Sequence, residues 1–276
     1  MSDLSKLELP ETQFLLLEHQ GSVLKIWLNR PMAKNALSEE MTDELNAVFD
    51  AIRDDRSIRT VVLQGKGGVF CAGGDIKGFK SDMQAVSAEQ VAKSNRSFGD
   101  LMIKINEQPQ VVIMLVEGAA IGGGLGLACV ADVTLVTADA RFRLSETSLG
   151  IPPAQIAPFV TERVGLTQAR RLMLTGARFQ GEEAVRLGIA HAVATDTEDL
   201  EAQCQVILGH INACAPGANA VTKSILFETL RQPRAEALDF ASKGFAQCML
   251  SIEGLEGIAA FVEKRKPLWA AGQTHE

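Results

Sequence analysis

The chain has 276 residues, 46% hydrophobic and 22% charged, with a formal net charge of −7. This is the size and composition of a soluble α/β domain or of a core domain with a smaller appendage. The acidic balance disfavours nucleic acid as a partner, which wants a basic face, and no run reaches the ~18 uninterrupted apolar residues expected of a membrane span.

Val23 to Leu28 alternates apolar and polar up to the break at Asn29-Arg30-Pro31, which predicts a strand running into a turn. Ser38 can cap a helix whose apolar stripe is Met41, Leu45, Val48, Phe49 and Ile52. Residues 60–65 read as a buried strand, 86–106 as a helix with Val91, Phe98, Leu101, Met102 and Ile105 on one side, and 111–116 as the next strand. A helix over 125–130 and a strand over 133–137 follow. The alternation of strand and helix implies crossover connections and an α/β layer structure. From about Gln168 the segments 167–175, 181–187, 197–213, 217–230, 233–250 and 254–263 read as helices, with a strand only near His191-Ala192-Val193. Residues 1–200 are therefore expected to form a β/α core and 201–276 a helical extension. Apolar positions of that extension, such as Leu238, Phe240, Phe245, Met249, Ile258 and Phe261, would cover either the core or a neighbouring subunit. No sequence repeat interrupts the chain.

Met1-Ser2-Asp3-Leu4-Ser5-Lys6 lacks the basic-then-apolar order of a secretory signal. The five cysteines (Cys71, Cys129, Cys204, Cys214, Cys248) are scattered, without a Cys-x-x-Cys pair. Neither disulfides nor a metal site is expected, and a reducing cytoplasm fits. There is no tyrosine to serve as acid, base or oxyanion donor.

Two glycine-rich turns stand out. Cys71-Ala72-Gly73-Gly74-Asp75-Ile76 closes the strand before it, and Ile121-Gly122-Gly123-Gly124-Leu125-Gly126 closes the next. Without Cβ atoms the backbone can approach a ligand closely, and two converging peptide N–H groups can hold a developing oxyanion. A dinucleotide fingerprint would need glycine at position 127, which is Leu127. The helix start still favours negative charge. Of the neighbouring reactive side chains, Cys71 has no histidine in local reach and reads as small packing. Asp132 reads as an anchor for the backbone between helix and strand.

Together with Leu28-Asn29-Arg30-Pro31, Asn35-Ala36-Leu37, Phe142-Arg143-Leu144-Ser145-Glu146, Leu149-Gly150-Ile151-Pro152-Pro153 and the stretch from Gly257 to Pro267, these turns resemble the crotonase superfamily, also called the enoyl-CoA hydratase/isomerase family. The resemblance covers nearly the whole chain, in order. It implies an α/β fold, a spiral of ββα units with a C-terminal helical region that trimerises, often as a dimer of trimers. Acyl-CoA thioesters would be the substrates, CoA arriving as part of the substrate with no other cofactor. Matched by position, the oxyanion N–H groups belong to Gly74 and Gly123. The turn at Lys34, the loop Ala72, Gly73, Asp75 and Ile76, and Gly122 would cradle substrate and CoA. Lys264 and Lys266 match a basic stretch that reaches CoA phosphates, and a solvated helix end explains them equally well. The family does not use His191, which reads as structural.

Hydratases of the family commonly use two glutamates. The later one matches Glu146 and the earlier one falls on Gly126, so one carboxylate remains. The segment 146–160 is similar to hydratases of 3-methylglutaconyl-CoA and of its isoprenoid relative isohexenylglutaconyl-CoA, which also carry glycine there. The resemblance therefore implies hydration of a branched enoyl-CoA, with Glu146 as acid–base group and its pKa raised by the apolar stretch Leu149-Gly150-Ile151-Pro152. A Δ3,Δ2-enoyl-CoA isomerase would also need only Glu146, and a non-catalytic acyl-CoA binding protein would need none. A hydrolase of the 3-hydroxyisobutyryl-CoA type would place an aspartate at Ala154, which cannot take that role.

Overall fold

The computed structural model describes residues 8–75 and 87–271. Residues 15–213 of these build two sheets. The larger has the order β1-β2-β3-β4-β6-β9: β1 (Leu15–Gln20) and β2 (Val23–Leu28) form an antiparallel hairpin, and β3 (Thr60–Gly65), β4 (Val111–Val116), β6 (Val133–Thr137) and β9 (Ala192–Ala194) continue in parallel. Its central strands β3, β4 and β6 are buried on both faces, as parallel strands are. Val61, Leu63, Val112 and Met114 face one apolar cluster, and Val62, Ile113 and Leu115 face the other. Helix α1 (Glu39–Ile52) is capped by Ser38, whose side chain accepts from the Met41 N–H, and its stripe of Met41, Leu45, Val48, Phe49 and Ile52 is wholly buried. Helix α2 (Ala88–Asn106) opens on a capping box of Ser87 and Gln90. It buries Leu101, Met102 and Ile105, whereas Val91 is 58% exposed.

The second sheet is made of short pieces: β5 (Ala119–Ile121), β7 (Arg141–Arg143) and β8 (Arg178–Phe179). Two isolated parallel bridges, Cys71↔Ala120 and Leu37↔Gly74, extend it on the β5 side. The second layer thus runs residue 37, residues 71–74, β5, β7, β8. These pieces follow β2, β3, β4 and β6 in turn, so each strand of the large sheet hands the chain to the next place in the small one. This is the expected spiral, and it is a structural repeat without a sequence repeat. Helices α3 (Gly123–Val130) and α4 (Ala157–Thr175) follow β5 and β7. Gly165, at φ 72° and ψ 158°, breaks α4 into two helical pieces.

After α5 (Gly181–Arg186), helix α6 (Thr197–Ala213) lays Leu200, Cys204, Leu208 and Ile211 on the outer face of the large sheet. The boundary expected at residue 200 falls inside this helix. The chain leaves the sheet only with α7 (Pro216–Arg231), α8 (Arg234–Met249), α9 (Ile252–Val262) and α10 (Leu268–Ala271). A buried lysine joins this region to the core: Lys223 Nζ donates to the carbonyls of Gln108 and Gln110, each at 2.7 Å, and to Asp132 Oδ2 at 2.5 Å. Asp132 Oδ2 also accepts the Val112 N–H at 2.7 Å, so it anchors the start of β4 and not only the local passage from helix to strand. No single helix among the described residues is long and apolar enough to cross a membrane.

Candidate active site

Three successive turns leave the second sheet side by side, after residues 71–74, after β5 and after β7. Cys71 N–H donates to the Ala119 carbonyl and Ile121 N–H to the Cys71 carbonyl, each at 3.0 Å, so the two glycine turns are laced to each other. Gly73, at φ +95°, lies so close that a Cβ there would stand 2.9 Å from the Ile121 carbonyl oxygen and 3.7 Å from the Gly123 nitrogen. Gly74 follows it, and Gly123 begins α3. Among the described residues neither the Gly74 nor the Gly123 N–H has a hydrogen-bond partner. Two open donors on adjoining turns, one of them at a helix N-terminus, form an anion-seeking corner.

The rest of the first turn is tied down by buried polar groups. Asn35, fully buried, accepts the Arg30 N–H at 2.9 Å and donates to the carbonyls of Lys66 and Val69 at 2.9 and 2.6 Å. Its left-handed backbone and that of Lys34 (φ 53° and 51°) bring the Lys34 carbonyl to the Ala72 N–H at 3.0 Å. Arg30 Nη2 pairs with Asp75 Oδ2 at 2.8 Å. The Lys34 side chain is exposed. Lys34, Ala72, Gly73 and Asp75 are therefore one unit, whereas Ile76 lies outside the described residues. Asn35 gave no sequence signal beyond its place in the Asn35-Ala36-Leu37 motif. Cys71 is fully buried, its Sγ accepts the Gly73 N–H at 3.4 Å, and burial pushes its thiol up to about 12, which suits packing and not nucleophilic work.

Glu146 comes from the third turn. Gly122 N–H donates to the Arg143 carbonyl at 2.9 Å, so the chain leaving β7 runs beside the triple glycine. A 3-10 turn over Glu146–Leu149 follows, closed by Gly150 and pinned by Thr147 Oγ1, which donates to the Met173 carbonyl at 2.9 Å. The carboxylate lies directly over Gly122: a Cβ there would stand 2.7 Å from Glu146 Oε1, and φ +51° with ψ −117° is a backbone that only glycine holds easily. Oε2 is buried without a hydrogen-bond partner among the described residues. Burial raises the Glu146 pKa above the usual carboxylate value, with the backbone of Glu146 and Ser145 pulling the other way. Of the apolar stretch beside it, Leu149 and Ile151 are 55% and 52% exposed.

At Gly126 the space of a side chain is already filled. A Cβ there would overlap Ile156 Cγ2, with Ile156 Cβ at 3.0 Å and Met102 Cε at 3.2 Å. The position offers room for no second carboxylate. Leu37 Cδ1 and the Phe98 ring stand 3.3 and 3.4 Å from the corresponding point on Gly123, so apolar walls flank the open donors.

The remaining candidates lie elsewhere. Lys264 and Lys266 are exposed past the end of α9, which packs on α7 and α8. His191 Nδ1 accepts the Thr134 N–H at 3.0 Å, and burial lowers its pKa, as suits a structural histidine. No group of three or more histidine, cysteine or acidic residues among those described could hold a metal ion.

The sequence matches the family described as enoyl-CoA hydratase/isomerase over residues 18–272. Among solved structures it is similar to Pseudomonas aeruginosa AtuE, with 52% identity and a TM-score of 0.91 over 94% of this chain and 100% of that one. An enoyl-CoA hydratase/isomerase from Marinobacter aquaeolei is 46% identical, with a TM-score of 0.90 over 93% of this chain and 99% of that one. The enoyl-CoA hydratase ACTT6 of Alternaria alternata is 32% identical over 243 residues, 88% of this chain and 79% of that protein.

Proposed function

The chain belongs to the enoyl-CoA hydratase/isomerase family and is a crotonase-like enzyme, and from that premise we propose that it hydrates a branched, glutaconyl-type enoyl-CoA thioester with Glu146 as its acid–base group. The observation that carries the reading is the half-buried Glu146, its Oε2 unpartnered, lying over Gly122 beside the open N–H groups of Gly74 and Gly123.

In this reading the thioester oxygen sits between those two N–H groups. Glu146, as carboxylate, takes a proton from water while the water oxygen bonds to the β-carbon. The electron pair of the double bond moves toward the thioester, and the two donors stabilise the enolate oxygen. The α-carbon is then protonated by the neutral Glu146 or by a bound water, so that one H and one OH have been added. A carboxylate that works in both directions is helped by a raised pKa. Each donor of such a pair is worth on the order of 100- to 1000-fold in rate. The substrate class is supported by the likeness of residues 146–160 to hydratases of branched glutaconyl thioesters, together with the glycine at position 126.

Lys34, Ala72, Gly73, Asp75, Ile76 and Gly122 are proposed to hold the CoA and thioester portions, with Lys264 and Lys266 reaching CoA phosphates. Only the CoA of the substrate is required in this reading, with no metal or redox cofactor. Assembly as a homotrimer or dimer of trimers would cover the apolar residues of α8 and α9. A cytoplasmic location is favoured by five cysteines that all stand as free thiols.

The single carboxylate equally serves a Δ3,Δ2-enoyl-CoA isomerase, in which Glu146 moves a proton between carbons and no water adds. Incubation of enoyl-CoA thioesters, glutaconyl types included, in ¹⁸O-water decides between them. Hydration puts ¹⁸O in a 3-hydroxyacyl product. Double-bond migration without ¹⁸O uptake on every thioester would overturn the hydratase reading.

A further inference from the structure

The face of α2 that reaches the site continues beyond it. Positions 95, 98, 99 and 102 are spaced i, i+3, i+4 and i+7, one stripe of a helix. Met102 stands against Gly126 and Phe98 against Gly123. One turn toward the N-terminus, a rise of about 5.4 Å, the stripe becomes polar. Asn95 Oδ1 accepts from Gln155 Nε2 at 2.9 Å. Gln155 directly precedes Ile156, the residue that covers Gly126. Its Oε1 occupies the place a side chain at Gly99 would need, with Arg96 Nη1 3.0 Å from the same point. The buried Gly99 is what allows two amides and a guanidinium to meet above the helix beside an apolar wall. A glycine in a helix interior costs about 1 kcal/mol relative to alanine, so the space it leaves needs a reason.

These groups hold spare donors. Among the described residues Asn95 Nδ2 makes no hydrogen bond. Among the described residues the ion pair of Arg96 is with Asp100, at 2.5 Å, through side chains 53% and 60% exposed. An exposed pair of this kind is weak and exchangeable. A carboxylate meeting a guanidinium and neighbouring amide N–H groups makes short, charge-assisted bonds.

We infer that Asn95, Arg96 and Gln155 form the subsite for a second carboxylate, carried on the acyl chain away from the thioester. The inference rests on the glutaconyl-type reading above and gives it a physical recogniser. The thioester oxygen lies at Gly74 and Gly123, the acyl carbons pass Phe98, and the distal anion displaces Asp100 from Arg96 while taking amide N–H bonds from Asn95 and Gln155.

The test is a ratio: kcat/KM on 3-methylglutaconyl-CoA divided by kcat/KM on 3-methylcrotonyl-CoA, the same branched acyl group without the carboxylate. Arg96→Met and Gln155→Leu are expected to lower this ratio by about 10- to 100-fold, as loss of a hydrogen bond to a charged group does, and Arg96→Lys by less. Because a ratio is read, a general loss of folded enzyme cancels. A parent enzyme that prefers the carboxylated thioester, with variants that keep that preference, overturns the subsite and leaves the substrate reading standing. A parent enzyme with no such preference overturns both.

Discussion

Residues 15–213 and residues 216–271 treat their large apolar side chains in opposite ways. In the first region Phe49, Phe70, Phe142, Leu24, Ile26 and Leu63 are fully or almost fully buried, in clusters on either side of the large sheet. In the second, Leu238, Phe245, Leu250, Ile252 and Phe261 are between 63% and 89% exposed, and the wholly enclosed residues are few, Lys223 and Ala260 among them. Glu146 and the open N–H groups of Gly74 and Gly123 all belong to the first region. Its open N–H groups and its carboxylate are aimed by backbone hydrogen bonds between successive turns of one spiral. The groups named around Glu146 above, Gly122, Ser145 and the Gly74 and Gly123 N–H groups, all come from the core. The helical region is joined to the core at Lys223 and presents an apolar face that a single chain does not cover. An exposed apolar surface of that extent marks an interaction site, in keeping with the self-association proposed above.

The sharpest way to break this division is at Glu146. Glu146→Gln should lower the hydration rate by about 10²- to 10⁴-fold, the range for loss of a general acid–base group, while size in solution and CoA affinity stay as in the parent. Undiminished turnover would remove Glu146 from the chemistry and favour a binding protein or another base. The same variant has a pH signature. The raised pKa means that the folded state favours the protonated form, so ionisation costs stability as pH rises through the folded value. Thermal melts should therefore show Glu146→Gln more stable than the parent at neutral pH, and the gap should close below the ordinary glutamate range, where both side chains are neutral.

The next test concerns Gly126. Glu146 stands alone because Ile156 and Met102 fill the adjacent space, so Gly126→Glu cannot simply restore a second acid. It should destabilise the fold by about 1–3 kcal/mol, the usual cost of overpacking a core, as read in denaturant unfolding. Pairing it with Ile156→Ala should recover part of that loss. If Gly126→Glu alone is tolerated without loss, the account of a filled space is wrong.

The smallest expected effect on the fold, and the clearest on the other region, is at Phe245, which is 67% exposed on α8. Phe245→Glu should change chain stability by no more than about 0.5 kcal/mol, as surface substitutions do, yet lower the assembly state in sedimentation velocity. An unchanged assembly would place the contact elsewhere than on this helix face.

The sequence was most legible where burial imposes one long period. The strand over 133–137, the helix over 197–213 and the stripe of α1 appear in the structure where they were expected, because the apolar pattern there follows from a single face or from two. It was least legible in the second sheet. Strands β5, β7 and β8 have two or three residues each, too few for any period to show, and β1, LLLEHQ, shows no apolar–polar alternation. The two glycine turns were visible as turns, but their adjacency depends on the Cys71↔Ala120 bridge, a contact across about fifty residues of sequence. Nothing in the sequence sets Lys223 apart from the other lysines. Only the meeting of two carbonyls and Asp132 at one point makes it a buried anchor.

By itself, then, the sequence determined the α/β layering, the family, and the presence of a glutamate at 146 and a glycine at 126, because these depend on local pattern and on residue identity at a motif. The tertiary structure alone decided that Glu146 lies over Gly122, that Ile156 occupies the space at Gly126, and that Asn95, Arg96 and Gln155 meet above Gly99. Each of those is a distance between residues remote in sequence, set by how the turns of the spiral stack, and no local preference of the chain encodes it.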